Sequence, residues 1–509
     1  MGKRSADRGE RLHGKTGRRQ GARFGGVKHW WVVGLIAALG VGVACGKSSG
    51  GAAVAVDAGD VDAGDDAIAE PPPTKIDPSP QRAGDAQKGY DALVNNGYVG
   101  CGIPYSAYSQ VYGPAPQSQR IPGRNVENAT MAFNVTRFTT ASGVDVVGPN
   151  CLTCHAAPIL GQVIVGLGDT YQDFTVDYAQ QANAAQLLVT DPMEKLELAK
   201  FISRANALSP NIRTATIGVT PADNIAAVLI AHRDRNTLAW SDTPLLKLPM
   251  PKVVVPVDVP PWWRMSKKNA MFYTGAGRGD HARTMMTAST LCVDSVDIAK
   301  SIDAYFPDVR AWIETLAPPK YPLAIDAAIA GKGKGVFDQT CARCHGTYGA
   351  GATYPNLVIP LVDIGTDAIL ATGAVQFADA YVKWFNESYY GQIAHIDSQK
   401  GYYAPPLDGI WATAPYFHNG SVPNLAMVLD STKRPQFWSR TYRSDDFDPT
   451  SVGWNFTALA AGPDAEPNAT KRKKIYDTTK IGYANVGHTY GDLLSTDDRA
   501  AVIEYLKTL

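Results

Sequence analysis

Two short stretches of the sequence carry the same arrangement of reactive side chains: Cys151-Leu-Thr-Cys154-His155 and Cys341-Ala-Arg-Cys344-His345. Cys-x-x-Cys-His is the attachment frame of c-type haem. Two thiols at this spacing add to the two vinyl groups on one porphyrin edge, and the next residue, His, comes to lie under the iron as an axial ligand. A Cys-x-x-Cys pair also serves as a redox dithiol or as half of a zinc site. Two copies, each followed at once by His, favour haem. Two covalently bound haem c groups are therefore expected, with Cys151, Cys154, Cys341 and Cys344 as attachment points and His155 and His345 as iron ligands.

The chain has 7 Cys, so Cys45, Cys101 and Cys292 remain. Cys45 follows an uncharged apolar run, Trp30 to Ala44, which itself follows a basic leader. That run is short for a membrane span and suits the core of a signal peptide. Its end, Gly42-Val43-Ala44-Cys45, resembles a lipoprotein cleavage site, in which Cys45 becomes the lipidated first residue; the alternative is ordinary cleavage near Ala44. Either way residues 1–45 read as an export signal, and the mature chain is expected in the periplasm or at the cell surface, held to a membrane by a lipid anchor. Outside the cytoplasm a leftover cysteine pair most simply forms a disulfide, here Cys101–Cys292. Two isolated thiols are the other possibility.

Charge separates the leader from the body. The chain of 509 residues has a formal net charge of +0, yet residues 1–29 hold nine Lys/Arg against Asp7 and Glu10, a net of +7, which leaves −7 for the rest. A mildly acidic body argues against nucleic acid as a partner. Residues 46–83 are low-complexity Gly/Ala/Asp followed by a Pro cluster, and read as a solvated tether.

The haem frames need helices to position them. Val309, Trp312, Ile313 and Leu316 follow helical spacing, and Val502, Ile503, Leu506 and Leu509 nearly repeat it near the C-terminus. Ser495 with Asp498 reads as an N-terminal cap there. Ahead of the second frame, GKGKGVFD (331–338) reads as a leading helix; ahead of the first, Asp85–Asn96 does. The linker Ala317–Pro322 sets a boundary near 320. The expected fold is mainly α, with two tandem cytochrome-c-type haem domains over 84–320 and 321–509. Loop-rich insertions are expected, the longest at roughly 160–300.

The stretch PPLDGIWATAPYFHNGS (405–421), and APYFHNGS within it, resembles the bacterial di-haem cytochrome c peroxidase superfamily. GPNCLTCH (148–155), KKNAMFYTGAGRGDHAR (267–283) and GIWATAPYFHNGSVPNL (409–425) are more similar to its rubber-oxygenase-like (RoxA-like) di-haem branch. The resemblance implies His488 as the second ligand of the second iron and His418 as a residue that holds its surroundings by hydrogen bonds. It implies an open site on the first iron, with Phe272 standing over bound oxygen. His232 and His281 are rival ligands there. Trp263, in the pair Trp262-Trp263, is a candidate electron relay between haems, against ordinary packing. Lys267, Lys268, Arg278 and Arg283 are candidate partners of haem propionates, and a Ca²⁺ ion between the domains stays open. The implied activity is that of an oxidoreductase. Its first haem activates O₂ or H₂O₂, and its second relays electrons from a small redox partner or electron-donor protein. Oxidative cleavage of an apolar alkene is the reading closest to the resemblance. Peroxidase-type reduction of H₂O₂, and pure electron transfer with both irons six-coordinate, are the alternatives.

Overall fold

The computed structural model describes residues 72–246, 253–372, 375–398 and 400–509. The export signal, Cys45 and the tether up to residue 71 lie outside the described residues. What is described mixes helix and strand, 38% and 13%, where the sequence predicts a mainly α chain. The strands run two to five residues and form sheets of two or three strands. Some pair locally, as Ala156–Ile159 does with Gln162–Val165, and others pair across long stretches of chain, as Gly277–Gly279 does with Ala394–Ile396; strands this short carry no usable alternating pattern.

Two helix pairs frame the molecule. Ala86–Asn95 packs against Phe306–Ile313, and Ala327–Thr340 against Thr496–Leu506. Each leading helix starts at an aspartate whose side chain accepts from two backbone N–H groups: Asp85 from Gln87 and Lys88, Asp326 from Ala328 and Ile329. Each pair also crosses at a glycine. A Cβ on Gly89 would lie 1.9 Å from the Asp308 carbonyl oxygen, and one on Gly333 would lie 1.8 Å from that of Ala501. Only a hydrogen at these positions lets the backbones meet.

The boundary near 320 does not divide the packing. The core around Leu152, Trp262 and Phe306 takes in Trp384, Phe385, Tyr390 and Ile396 from beyond it. The core around Phe337, Trp411 and Val502 takes in Ala157, Ile159, Tyr171 and Trp263 from before it. Strand Gly277–Gly279 pairs with Ala394–Ile396 across the same boundary. The linker was legible as a turn-rich stretch, but the chain returns across it, which composition does not show.

The end of the expected tether is also ordered. Thr74–Lys75 pairs with Leu357–Pro360, and Ile76 is buried. The Arg82 guanidinium donates to both Asp280 and Asp303. Residues 72–83 thus form an arm that touches both halves, because an arginine and a few strand bonds offset the lack of apolar side chains. In the inserted region, helix Pro192–Leu208 packs beside the Cys101–Cys292 disulfide, whose cysteines are 191 residues apart in sequence. No helix among the described residues is long and apolar enough to cross a membrane.

Candidate haem sites

Helix Ala327–Thr340 delivers the second frame, which turns through the short helix Ala342–His345. Cys341 and Cys344 are free thiols, and burial pushes Cys341 up to about 11. The His345 ring is fixed by its Nδ1, which lies 2.8 Å from the Pro405 carbonyl oxygen. A carbonyl only accepts, so Nδ1 carries the proton and Nε2 is left with its lone pair, as a metal ligand requires.

Facing this imidazole is a second one. The ring centres of His345 and His488 are 6.2 Å apart. An imidazole–metal bond is about 2 Å and the ring centre lies about 1 Å beyond the nitrogen, so two imidazoles sharing one metal have centres about 6 Å apart. Burial pushes His488 down to about 3, with the charge of His345 and of Arg434 acting the same way. A neutral ring is the form that ligates. Its Nδ1 is buried without a hydrogen-bond partner. The pair and the two free thiols beside it fit haem c.

The first frame follows a turn held by Asn150, whose side chain accepts from Leu152 N and donates to Phe133 O and Thr136 Oγ1. The Tyr98 hydroxyl accepts from Cys151 N. Cys151 and Cys154 are free, and burial pushes them up to about 11 and about 12. Burial pushes His155 down to about 4, the Pro260 carbonyl acting weakly the other way. The His155 ring stacks on Trp262 at 4.6 Å and 21°. Two free thiols beside a buried neutral imidazole again fit haem c.

Trp262 and Trp263 lie in the two different cores. The Trp263 indole donates to the Asp408 carbonyl at 2.7 Å, and Arg264 Nε donates to the same oxygen. The short helix Trp262–Lys267 therefore runs from His155 towards the segment that holds His345. Sequence reasoning singled out Trp263; the residue against the histidine is its neighbour, and stacking of this kind has no signature in spacing.

Phe272 is 40% exposed and sits at φ +68°, a left-handed conformation that a side chain other than glycine rarely adopts. It caps a turn closed by Met271 N donating to Gly277 O. An exposed aromatic in a strained turn is not a core-packing residue.

The other histidines divide clearly. His232 stacks on Trp240 at 4.9 Å, with its Nδ1 on Ser241 O. His395 is exposed on strand Ala394–Ile396. His281 is buried, and its Nε2 has no partner. His418 lies flat on Tyr402, with Nε2 3.1 Å from the Tyr402 hydroxyl. That hydroxyl donates to Asp367 O, so it accepts from His418 Nε2–H, and His418 is a neutral donor. Its backbone carbonyl accepts from Asp258 N.

Two of the expected propionate partners are taken by protein groups: Lys267 by the Asp408 carboxylate, Arg283 by Asp303 and the Tyr389 carbonyl. Lys268 lies over the Tyr403 ring, and Arg278 Nη1 is buried without a partner. Among the described residues no group of three or more His, Cys, Asp or Glu side chains converges on a metal-sized site. Asp258 and Arg434 were not legible as site residues. Both act through contacts made by chain folding back from far away.

Comparison with known proteins bears on one stretch of the chain. Residues 401–439 match the family model described as RoxA-like, cytochrome c-like. The matched stretch holds Pro405, His418 and Arg434. Over 290 residues the chain is 28% identical to the uncharacterized protein y4iJ of Sinorhizobium fredii (strain NBRC 101917 / NGR234), covering 44% of this chain and 46% of that protein. It is 26% identical over 301 residues to y4iM of the same strain, covering 51% of this chain and 66% of that protein. The chain thus spans about half to just under two thirds of these relatives' lengths. It carries a RoxA-like, cytochrome c-like region over residues 401–439, which points to c-type haem and is consistent with a haem-dependent oxidoreductase.

Proposed function

We propose that this chain is an exported di-haem c-type cytochrome that acts as an oxidoreductase with two unlike irons. Cys151, Cys154 and His155 would hold the first haem; Cys341, Cys344 and His345 would hold the second, with His488 as its other ligand. The observation that carries the reading is the 6.2 Å separation of the His345 and His488 rings. His155 has no such counterpart among the aromatic contacts of the described residues; its ring neighbour is Trp262.

Haem iron supplies one-electron and O₂ chemistry when bound. The residues set what each site does with it. His345 and His488 would both hold the second haem, which would suit electron relay. At the first site Phe272 would stand near the open side of the iron, and O₂ or H₂O₂ would be the small reactant. Trp262 and Trp263 join the surroundings of the two histidines. The match to a RoxA-like region favours oxidative cleavage of an apolar, alkene-type substrate over H₂O₂ reduction. Electrons would come from a small donor protein, and a lipid anchor at Cys45 would hold the enzyme at a membrane. A second reading, a carrier with both irons closed, is favoured by the buried, unpartnered Nε2 of His281.

Electron paramagnetic resonance of the resting, haem-loaded protein tests the reading. One high-spin and one low-spin iron are expected, and CO should shift about half of the reduced haem absorption. Two low-spin irons and no CO shift would establish the carrier instead.

A further inference from the structure

Arg434 makes no ion pair among the described residues, although it is partly buried. Among the described residues its hydrogen bonds go to backbone carbonyls. Nε donates to Met427 O at 2.8 Å and Nη2 to Val428 O at 3.2 Å. Nη1 donates to Asn485 O at 2.8 Å and Gly487 O at 2.6 Å, and Nη2 also reaches His488 O at 3.3 Å. One side chain thus joins the turn after Leu425 to the loop that carries His488. The guanidinium also lies over the Phe417 ring at 4.9 Å, and that ring is 5.9 Å from the His488 ring.

The loop needs such a hold. Gly487 and His488 both sit at positive φ, +71° and +46°. A Cβ on Gly487 would meet the Gly365 backbone at 2.1 Å, so this turn presses against the neighbouring segment. A histidine in the left-handed region is strained and persists only where its surroundings fix it. Besides Arg434, His488 N donates to Ile364 O at 2.7 Å. A planar fork with five N–H donors can serve several carbonyls at once; an ammonium cannot match that geometry.

We infer that Arg434 is a positioning residue, whose guanidinium holds the Asn485–His488 loop so that the His488 imidazole stays opposite His345. This rests on the reading of His488 as an iron ligand. A merely structural role would lower the melting temperature and leave the spin state of the second iron as it was.

The test compares His488→Ala, Arg434→Met and Arg434→Lys in the full, haem-loaded chain. The readouts are the low-spin resonance signal, CO binding and rescue by added imidazole. His488→Ala should abolish the low-spin signal of one iron. Arg434→Met should convert a substantial fraction of that signal to high-spin, let CO bind a second haem, and be restored by millimolar imidazole. Arg434→Lys should show a high-spin fraction within twofold of that of Arg434→Met, since charge alone does not hold the loop. If His488→Ala changes the spectrum and Arg434→Met does not, the positioning role is wrong and the ligand reading stands. If His488→Ala changes nothing, both fall. Should Arg434→Met not accumulate, Arg434→Lys carries the same comparison.

Discussion

At the scale of single residues, His418 gives the clearest consequence of burial. Its pKa is pushed down to about 3 because a charged ring would lose its water. An ordinary histidine titrates near 6.5. Above that pH the ring is neutral in both folded and unfolded chains and contributes no pH dependence. As pH falls from about 6.5 towards 3, the unfolded chain takes up a proton that the folded one refuses, so stability falls. His418→Gln removes this titration. Its stability relative to the parent should improve by about 2 kcal/mol between pH 7 and pH 5. Urea unfolding at the two pH values checks it; two curves that stay parallel would show that His418 is not held neutral. The same scale shows what the sequence makes legible. Two Cys-x-x-Cys-His frames are local, so the motif alone gives six side chains. His488 came only from resemblance, Trp262 stacks on a histidine 107 residues before it, and Arg434 reaches carbonyls up to 54 residues beyond it. No spacing rule reaches that far.

At the scale of elements, the helices that frame each site were readable because their apolar spacing and aspartate or serine caps are local. The strands were not, since segments of two to five residues carry no usable period. Helix Ala327–Thr340 offers an internal comparison, because its glycines are not alike. Gly331 faces open space, while a Cβ at Gly333 would strike the Ala501 carbonyl at 1.8 Å. Gly331→Ala should stabilise the protein by roughly 0.5–1 kcal/mol through helix propensity. Gly333→Ala should destabilise it by about 3 kcal/mol, by prising the two helices apart. Thermal unfolding of the two variants decides it, and equal effects would mean that the helices do not cross at this residue.

At the scale of the whole molecule, the arm over residues 72–83 fastens the two halves. Burial pushes the Asp280 and Asp303 carboxyls up, and hydrogen bonds from Arg82, with Arg283, more than reverse it and leave both below the usual range. Their stabilisation is present above the ordinary carboxylate pKa and is lost as pH falls through their lowered values. The carboxylates are 4% and 11% exposed and Arg82 is 32% exposed. Breaking a buried pair costs about 3–5 kcal/mol, and the partial exposure of Arg82 together with the remaining Arg283 reduces that to about 2 kcal/mol for Arg82→Ala. Denaturant titration at neutral pH measures this; an unchanged midpoint would mean that the arm rests on the surface without holding it. The arm escaped sequence reading because its composition is that of a linker, and its anchors are single polar side chains whose partners lie about 200 residues downstream.

The Cys101–Cys292 bridge closes a loop that contains Cys151 and Cys154. Six cysteines can pair in 15 ways, and closing a small ring is easier than closing a large one. Under oxidation, each Cys-x-x-Cys would therefore bridge to itself sooner than Cys101 finds a partner 191 residues on. The proposed porphyrin attachment would need those adjacent thiols reduced, while the distant pair is oxidised in the folded chain. On the proposed haem reading, one chain would have to meet both demands, which would call for a thiol reductant at the haem-loading step and would set the order in which the sulfurs are committed.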